Sequence, residues 1–161
     1  MSRIDSFIRR LEAQRACLDW AIGQIAGKPG LIMECGLGNG RTYDHLREKC
    51  PDREIYVFDR AINAHPDCIP PDDKVFLGEF AETLPIAAQR FAAQVALVHG
   101  DTGTGDAEKS RARAALWAPY WLAMLMPGGI LLSDQPLSMI GLTELAPPAD
   151  TGWRYYVYTR A

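Results

Sequence analysis

The fold is decided by the stretch Leu31-Ile32-Met33-Glu34-Cys35-Gly36-Leu37-Gly38-Asn39-Gly40-Arg41, in which a short apolar run ends in three spaced glycines. A helical pattern follows at once over residues 41–49. Glycines let a chain turn tightly and let a ligand approach bare backbone. The stretch therefore predicts a strand, a ligand-binding turn and a helix.

The glycine spacing in this turn is G-x-G-x-G, whereas the dinucleotide fingerprint is G-x-G-x-x-G and would place glycine where Arg41 stands. The wider dinucleotide loop delivers a pyrophosphate to a helix N-terminus. We therefore expect a ligand without a phosphate group. A nicotinamide-dependent oxidoreductase on the same fold is the alternative, but the chain shows no Tyr-x-x-x-Lys pair for that chemistry.

Strand and helix patterns alternate outward from this turn. Further apolar runs cover residues 54–58, 75–77, 95–98 and 130–132, and helical patterns cover residues 41–49, 80–91 and 106–126. Continuous apolar runs are typical of strands buried on both faces, as in parallel sheets. The sequence predicts an α/β fold, namely a Rossmann-like, doubly wound, mostly parallel sheet in a three-layer α/β/α sandwich.

The two ends complete a single predicted domain over residues 1–161. Residues 1–27 form an amphipathic helix, residues 31–134 the cofactor-binding core, and residues 135–161 a C-terminal strand region. Residues 153–160 have high strand propensity and follow a turn-rich link at 147–152 that is too short for a crossover helix. We expect an antiparallel strand that pairs with residues 142–145 or joins the sheet edge.

Composition narrows the class of protein. The chain has 161 residues and a formal net charge of -3, which argues against a nucleic-acid partner. Residues 114–133 carry no charge, but Pro119 and Pro127 interrupt them, so we expect a buried helix, a tight turn and a buried strand rather than a membrane span. The four cysteines form no C-x-x-C pair and the N-terminal residues lack a signal-peptide core, which favours a cytoplasmic protein.

Acidic residues follow the next two strands. Asp59 ends the second strand, where a carboxylate can accept hydrogen bonds from both hydroxyls of a ribose. Glu79 follows the third strand, where it can accept from an adenine amino group while Phe80 lies beside the ring.

These motifs resemble those of class I S-adenosylmethionine-dependent methyltransferases. Residues 34–40 look like the first motif of that family, Asp59 like its ribose acid, Gly78-Glu79 like its adenine-side acid, and residues 126–131 like its turn into the fifth strand. The resemblance implies S-adenosyl-L-methionine as cofactor, with Glu34 and the loop glycines at its methionyl end. The expected cofactor-binding residues are Glu34, Gly36, Leu37, Gly38, Asn39, Gly40, Thr42, Asp59, Arg60, Gly78, Glu79, Phe80 and His99.

The candidate catalytic residues are His99 and Asp101, at the end of the fourth strand, where the methyl acceptor approaches in this fold. Metal-dependent catechol-type O-methyltransferases place one Asp there and an Asp-Asn pair after the fifth strand. This chain has Asp101 and then Asp134-Gln135, a departure from that pattern, so we expect no metal site.

The acceptor is expected to be an unidentified small molecule. A protein that binds the cofactor without catalysis is the non-enzyme alternative. The uncharged helical stretch with Trp117, Tyr120 and Trp121 favours self-association as a homodimer, a homo-oligomer of two chains.

Overall fold

The fold is described here from a computed structural model that covers residues 1–148 and 152–161. Part of the predicted link at 147–152 therefore lies outside the described residues. The described helices are α1 (Arg3–Ile25), α2 (Arg41–Lys49), α3 (Phe80–Arg90) and α4 (Ala107–Met124). The described strands are β1 (Leu31–Cys35), β2 (Ile55–Asp59), β3 (Val75–Leu77), β4 (Val95–Gly100), β5 (Leu125–Ser133), β6 (Leu142–Leu145) and β7 (Tyr156–Arg160).

The strands form one sheet in the order β3-β2-β1-β4-β5-β7-β6. β1 pairs in parallel with both β2 and β4, and β7 runs antiparallel to both of its neighbours. The strand order reverses between β1 and β4, which is the point where open α/β sheets bind ligands. The predicted doubly wound, mostly parallel fold is confirmed.

Successive side chains of each strand enter different cores. Ile32 packs in the core beneath α1 and α2, whereas its neighbour Met33 packs in the core beneath α3 and α4. Both side chains are fully buried, as the continuous apolar runs predicted. The domain consequently has three layers, with helices on both faces of the sheet.

Helix α1 begins with a capping box. The Asp5 amide donates to the Ser2 hydroxyl over 3.1 Å, and the Ser2 amide donates to the Asp5 carboxylate over 3.1 Å. Its buried face includes Ala13, Gln14 and Cys17. The helix therefore lies along the sheet with one polar side chain, Gln14, directed inward.

The predicted turn at residues 126–129 lies within the bounds of β5. α4 ends at Met124, and β5 already begins at Leu125. Leu125 pairs with Val95 and Ile130 pairs with Leu97, so β5 carries extra residues between these two pairs. This irregularity includes Gly128, which has φ +71°, and it stands where the turn was expected. The buried helix and the buried strand of the uncharged stretch are both present.

The structure also corrects one of the two placements expected for the C-terminal strand. β7 pairs with β6, as one alternative predicted, but it lies inside the sheet between β5 and β6 rather than at the edge. The side chains of Val157 and Tyr158 are buried there, as expected for a strand inside the sheet. Within the described residues, no helix is long and apolar enough to cross a membrane.

Candidate active site

A cavity of about 360 Å³ opens at the carboxyl ends of β1, β2 and β4, with α1 along one side. Its volume lies in the range of small-molecule sites. The residues that line it are Phe7, Arg10, Leu11, Gln14, Gly36, Leu37, Gly38, Asn39, Arg41, Thr42, Asp59, Arg60, Glu79, Phe80, Asp101, Thr102, Gly103, Thr104, Arg113 and Trp117.

The glycine turn needs glycine for steric reasons. Gly36 has φ +98°, and a Cβ on it would lie 2.2 Å from the Asp101 carbonyl oxygen. Gly40 has φ +87°, and its Cβ would lie 2.6 Å from the Cβ of Cys68. Both positions combine left-handed backbone with close approach of a neighbouring segment, which a side chain would prevent. The turn can therefore present backbone to the cavity while it packs tightly from below.

Asp59 fixes the glycine turn from the end of β2. One carboxylate oxygen accepts from the amides of Leu37 and Gly38, over 2.9 and 3.2 Å, and the other accepts from the amide of Arg60 over 2.7 Å. The carboxylate is partly exposed and lines the cavity, as expected for a ribose acceptor. It also holds the turn against the sheet, a role that the sequence spacing did not indicate.

A buried polar cluster lies beneath the turn. Glu34 and His99 are both 0% exposed. Glu34 accepts from the Thr42 hydroxyl over 2.5 Å and from Nδ1 of His99 over 2.7 Å. His99 Nε2 bonds to the Tyr155 hydroxyl. We call Glu34, His99 and Tyr155 the buried cluster.

Charge and burial oppose each other at His99. Burial disfavours the charged ring, but attraction and a hydrogen bond to Glu34, together with Asp101 and Asp134, outweigh it and raise the pKa of His99 above its usual 6.5. Burial also raises the pKa of Tyr155 well above 10. The contact with Glu34 therefore favours the protonated His99 ring, and Tyr155 completes the polar contacts of that ring.

A second ionic cluster lines the cavity itself. Arg10 Nη2 donates to both oxygens of Asp101, over 3.0 and 2.8 Å, and Gln14 Nε2 donates to the same carboxylate over 2.6 Å. The side chains of Arg10 and Asp101 are 41% and 15% exposed. We call Arg10, Gln14 and Asp101 the cavity cluster. It joins α1 to the chain just beyond β4.

Aromatic rings form the opposite end of the cavity. Phe80 and Trp117 pack edge to face with ring centroids 5.9 Å apart, and Glu79 lies next to Phe80 at the start of α3. The hydroxyl of Thr102 lines the same cavity, is buried, and has no hydrogen-bond partner among the described residues. A flat heterocycle with polar edges fits such surroundings.

The structure brings most of the expected cofactor residues to the cavity. Those that line it are Gly36, Leu37, Gly38, Asn39, Thr42, Asp59, Arg60, Glu79 and Phe80. Glu34 and His99 lie in the buried cluster, Gly40 packs against Cys68, and Gly78 approaches Thr83. Of the two candidate catalytic residues, Asp101 faces the cavity and His99 does not.

Sequence reasoning missed the contribution of α1 to the site. Phe7, Arg10, Leu11 and Gln14 all line the cavity. Arg10 and Gln14 are four residues apart and so share one face of the helix. Gln14, a polar side chain on the face that also carries Cys17, was the available signal. Thr104, in the loop after β4, and Arg113, on α4, also line the cavity. No sequence pattern marked either of them.

The candidate magnesium ligands have other partners. Asp134 accepts from the Thr102 amide over 3.2 Å and from the side chain of Gln135 over 3.0 Å, while Asp101 belongs to the cavity cluster. Burial and the nearby Asp101 raise the pKa of Asp134. Within residues 1–148 and 152–161, no three potential His, Cys, Asp or Glu ligands converge on one point.

This sheet order, the glycine turn after β1 and the acid that ends β2 define a class I S-adenosylmethionine-dependent methyltransferase. A family model described as S-adenosyl-L-methionine methyltransferase matches residues 1–160, and the chain belongs to that family. The family assignment confirms S-adenosyl-L-methionine as the cofactor and a methyltransferase as the enzyme class. It excludes the alternative of a nicotinamide-dependent oxidoreductase. A comparison with curated proteins gave no match.

Solved structures agree with this assignment. The chain is 46% identical to an S-adenosyl-L-methionine methyltransferase from Silicibacter pomeroyi DSS-3, with a TM-score of 0.94 over 100% of this chain and 99% of that one. It shares its fold with the antibiotic-resistance methyltransferase Kmr, at 12% identity and a TM-score of 0.54 over 89% of this chain and 93% of that one. It also shares it with a probable spermidine synthase from Corynebacterium glutamicum, at 13% identity and a TM-score of 0.57 over 93% and 63%.

The residues of the cavity fit the cofactor of the family. Gly36 and Gly38 give bare backbone beside β1, Asp59 gives a carboxylate, and the Thr102 hydroxyl gives a buried polar atom without a partner. Phe80 and Trp117 give apolar walls. These groups match the methionyl chain, the ribose and the purine in kind.

Proposed function

We propose that the enzyme transfers the methyl group of S-adenosylmethionine to a small molecule that binds in the cavity beside α1. The observation that supports this most is the cavity itself, which is about 360 Å³ and is bordered by α1, with Arg10 and Gln14 bonded to Asp101 across it. Both acidic and basic side chains line it, and the net charge of -3 argues against a nucleic acid as the acceptor.

In the proposed arrangement each part of the cofactor has its own surroundings. The glycine turn lies along the methionyl chain, Asp59 accepts from the ribose hydroxyls, and Glu79 accepts from the adenine amino group next to Phe80 and Trp117. When bound, the cofactor supplies an electrophilic methyl group on a sulfonium. Glu34 supports the turn through Thr42 and does not contact the ligand.

The protein's part in this reaction is alignment and exclusion of water. Asp101 is the one of the two candidate catalytic residues with access to the cavity. His99 acts from beneath as a positioning residue through Glu34 and Thr42. No metal takes part in this proposal, and activity is expected to survive EDTA and the Asp134→Asn substitution.

The acceptor class is tested by supplying methyl-labelled S-adenosylmethionine together with separate small-molecule, RNA and protein fractions of a bacterial extract. We expect label in the small-molecule fraction, and much less of it in the Asp59→Ala variant because the cofactor binds more weakly. An exposed-surface variant, Glu12→Gln, serves as the matched control. Label confined to RNA or protein would refute a small-molecule acceptor.

We also propose that the enzyme is a cytoplasmic homodimer. Leu116 on α4 is 63% exposed and Ile86 on the adjacent α3 is 59% exposed, which leaves apolar surface for a second copy. The four cysteines are free thiols, as in a reducing compartment. Light scattering at micromolar concentration is expected to show twice 17.8 kDa. A single species at the monomer mass would exclude the dimer.

A further inference from the structure

The cavity cluster pairs opposite charges at the end of the cavity where the glycine turn lies. Arg10 and Asp101 are 91 residues apart in sequence, and their contact bridges α1 and the end of β4. Asp101 also lies against the turn, since its carbonyl oxygen is where a Cβ of Gly36 would stand. Both side chains line the cavity and are partly exposed, so a ligand can reach them.

The buried cluster cannot supply charges to a ligand at this place. Both oxygens of Glu34 are bonded, one to Thr42 and one to His99, and the side chain is 0% exposed. The amino-acid end of S-adenosylmethionine carries one ammonium and one carboxylate, each of which needs a partner of opposite sign when water is removed. Within the described residues beside the turn, Arg10 and Asp101 present that complementary pair.

We propose that Arg10 and Asp101 exchange their mutual ion pair for two ion pairs with the amino-acid end of the cofactor. The Arg10 guanidinium binds the α-carboxylate, the Asp101 carboxylate binds the α-ammonium, and Gln14 keeps Asp101 in position. This rests on the cofactor placement under "Proposed function", and it makes Asp101 a binding residue rather than a general base. In the free enzyme the pair neutralises two charges that would otherwise face the cavity alone.

Three ligands that share the adenosine part separate the two charges. All three are thioethers: S-adenosylhomocysteine carries both charges, decarboxylated S-adenosylhomocysteine carries the ammonium without the carboxylate, and 5′-methylthioadenosine carries neither. Titration calorimetry measures each of them on the parent enzyme and on the variants Arg10→Gln and Asp101→Asn. Binding is the readout, so catalytic turnover plays no part.

Each variant is expected to lose affinity for a different set of ligands. Arg10→Gln weakens S-adenosylhomocysteine by roughly 10- to 100-fold and leaves the two ligands without a carboxylate within about threefold. Asp101→Asn weakens both ligands that carry the ammonium by a similar factor and leaves 5′-methylthioadenosine within about threefold. Arg9→Gln, a change on the exposed side of α1, is the matched control and is expected to bind all three like the parent.

The outcomes separate this inference from the proposed function. If the parent fails to bind 5′-methylthioadenosine and S-adenosylhomocysteine at all, the cofactor placement is wrong. If both bind but Arg10→Gln and Asp101→Asn treat them like the parent, the placement stands and the exchange is wrong. Equal weakening of all three ligands would mean that the pair shapes the whole cavity, which also overturns the inference.

Discussion

The buried cluster and the cavity cluster both lie at the end of β4, and each pairs a carboxylate with a basic side chain. His99 and Asp101 are only two residues apart on the chain, yet His99 is 0% exposed whereas the Asp101 side chain is 15% exposed and lines the cavity. Each pairs a carboxylate with a cationic side chain at 2.7 or 2.8 Å. Contact distance alone therefore does not distinguish a pair that supports the fold from a pair that is available to a ligand.

Solvent access makes the difference. In the buried cluster each polar group has lost its water and depends on its protein partner, so removal of one member leaves an unpaired polar group in the core. In the cavity cluster, water or a ligand can replace either member, and the pair contributes little to stability. We expect substitutions in the first cluster to change folding and those in the second to change binding.

The largest expected effect is that of Glu34→Leu. It removes the buried acceptor of both His99 Nδ1 and the Thr42 hydroxyl, and we expect the free energy of unfolding to fall by about 3–5 kcal/mol in denaturant titrations. The surface pair His45 and Asp19 is the matched control, because it has the same 2.7 Å contact but side chains that are 22% and 51% exposed. Asp19→Ala should cost less than about 1 kcal/mol. Equal losses at the two sites would refute the role of burial.

Asp59 tests the difference between the two clusters further, because it both supports the glycine turn and lines the cavity. In Asp59→Ala, loss of two charge-assisted hydrogen bonds to the ribose should weaken S-adenosylhomocysteine by about 30- to 1,000-fold, or roughly 2–4 kcal/mol. The amides of Leu37 and Gly38 also lose their acceptor, so the free energy of unfolding should fall by about 1–2 kcal/mol.

Asp59→Asn is the milder counterpart, since its amide oxygen still accepts one hydrogen bond. Calorimetry and thermal melting on the same preparations check both quantities. Unchanged affinity together with a lower melting temperature would leave Asp59 as a purely structural residue.

The pH dependence of folding follows from the raised pKa of His99. A group whose pKa is higher in the folded state stabilises the fold fully below its unfolded pKa, near 6.5, and this contribution is lost as the pH rises through the folded pKa. The free energy of unfolding should therefore decline above pH 6.5, by at most about 1.4 kcal/mol per pH unit from this residue.

His99→Gln should remove this decline while the Arg10→Gln variant keeps it, because Arg10 belongs to the cavity cluster. Denaturant titrations between pH 6 and 9 measure the slope for each variant. The same slope in His99→Gln and the parent would show that another group is responsible.

The smallest expected effect is on the stability of Asp101→Asn. Arg10 is 41% exposed and can be hydrated once its partner loses its charge, so the free energy of unfolding should change by less than about 1 kcal/mol. Denaturant titration at neutral pH checks this. A loss that approaches that of Glu34→Leu would show that the cavity cluster also supports the fold.

The elements that were predicted well from the sequence are those that depend on residues close together in the chain. The bounds of β1 and α2 follow from an apolar run, three glycines and a helical pattern, all within one short stretch. Asp106 precedes α4 as a typical N-cap residue, and its carboxylate accepts from the Lys109 amide over 3.1 Å. Such features depend on neighbours in sequence, which a single chain displays directly.

The parts that sequence could not predict depend on distant neighbours. Position at a strand end suggested that His99 faces a ligand, but Tyr155 covers one side of its ring and Glu34 holds the other. Arg10 belongs to an amphipathic helix whose orientation over the sheet is fixed only by tertiary packing. The irregular start of β5 depends on its register with β4, which is also a contact between distant parts of the chain.

The position of β7 limits the order in which the sheet can form while the chain is synthesised. β6 pairs with β7 and with no other strand of the described sheet, although β7 is translated after it. While the nascent chain still lacks β7, β5 remains an open sheet edge and β6 has nothing to pair with. Tyr155, which directly precedes β7, arrives with it and contacts His99. Pairing of β7 therefore covers the open edge of β5, gives β6 its partner and brings Tyr155 to His99.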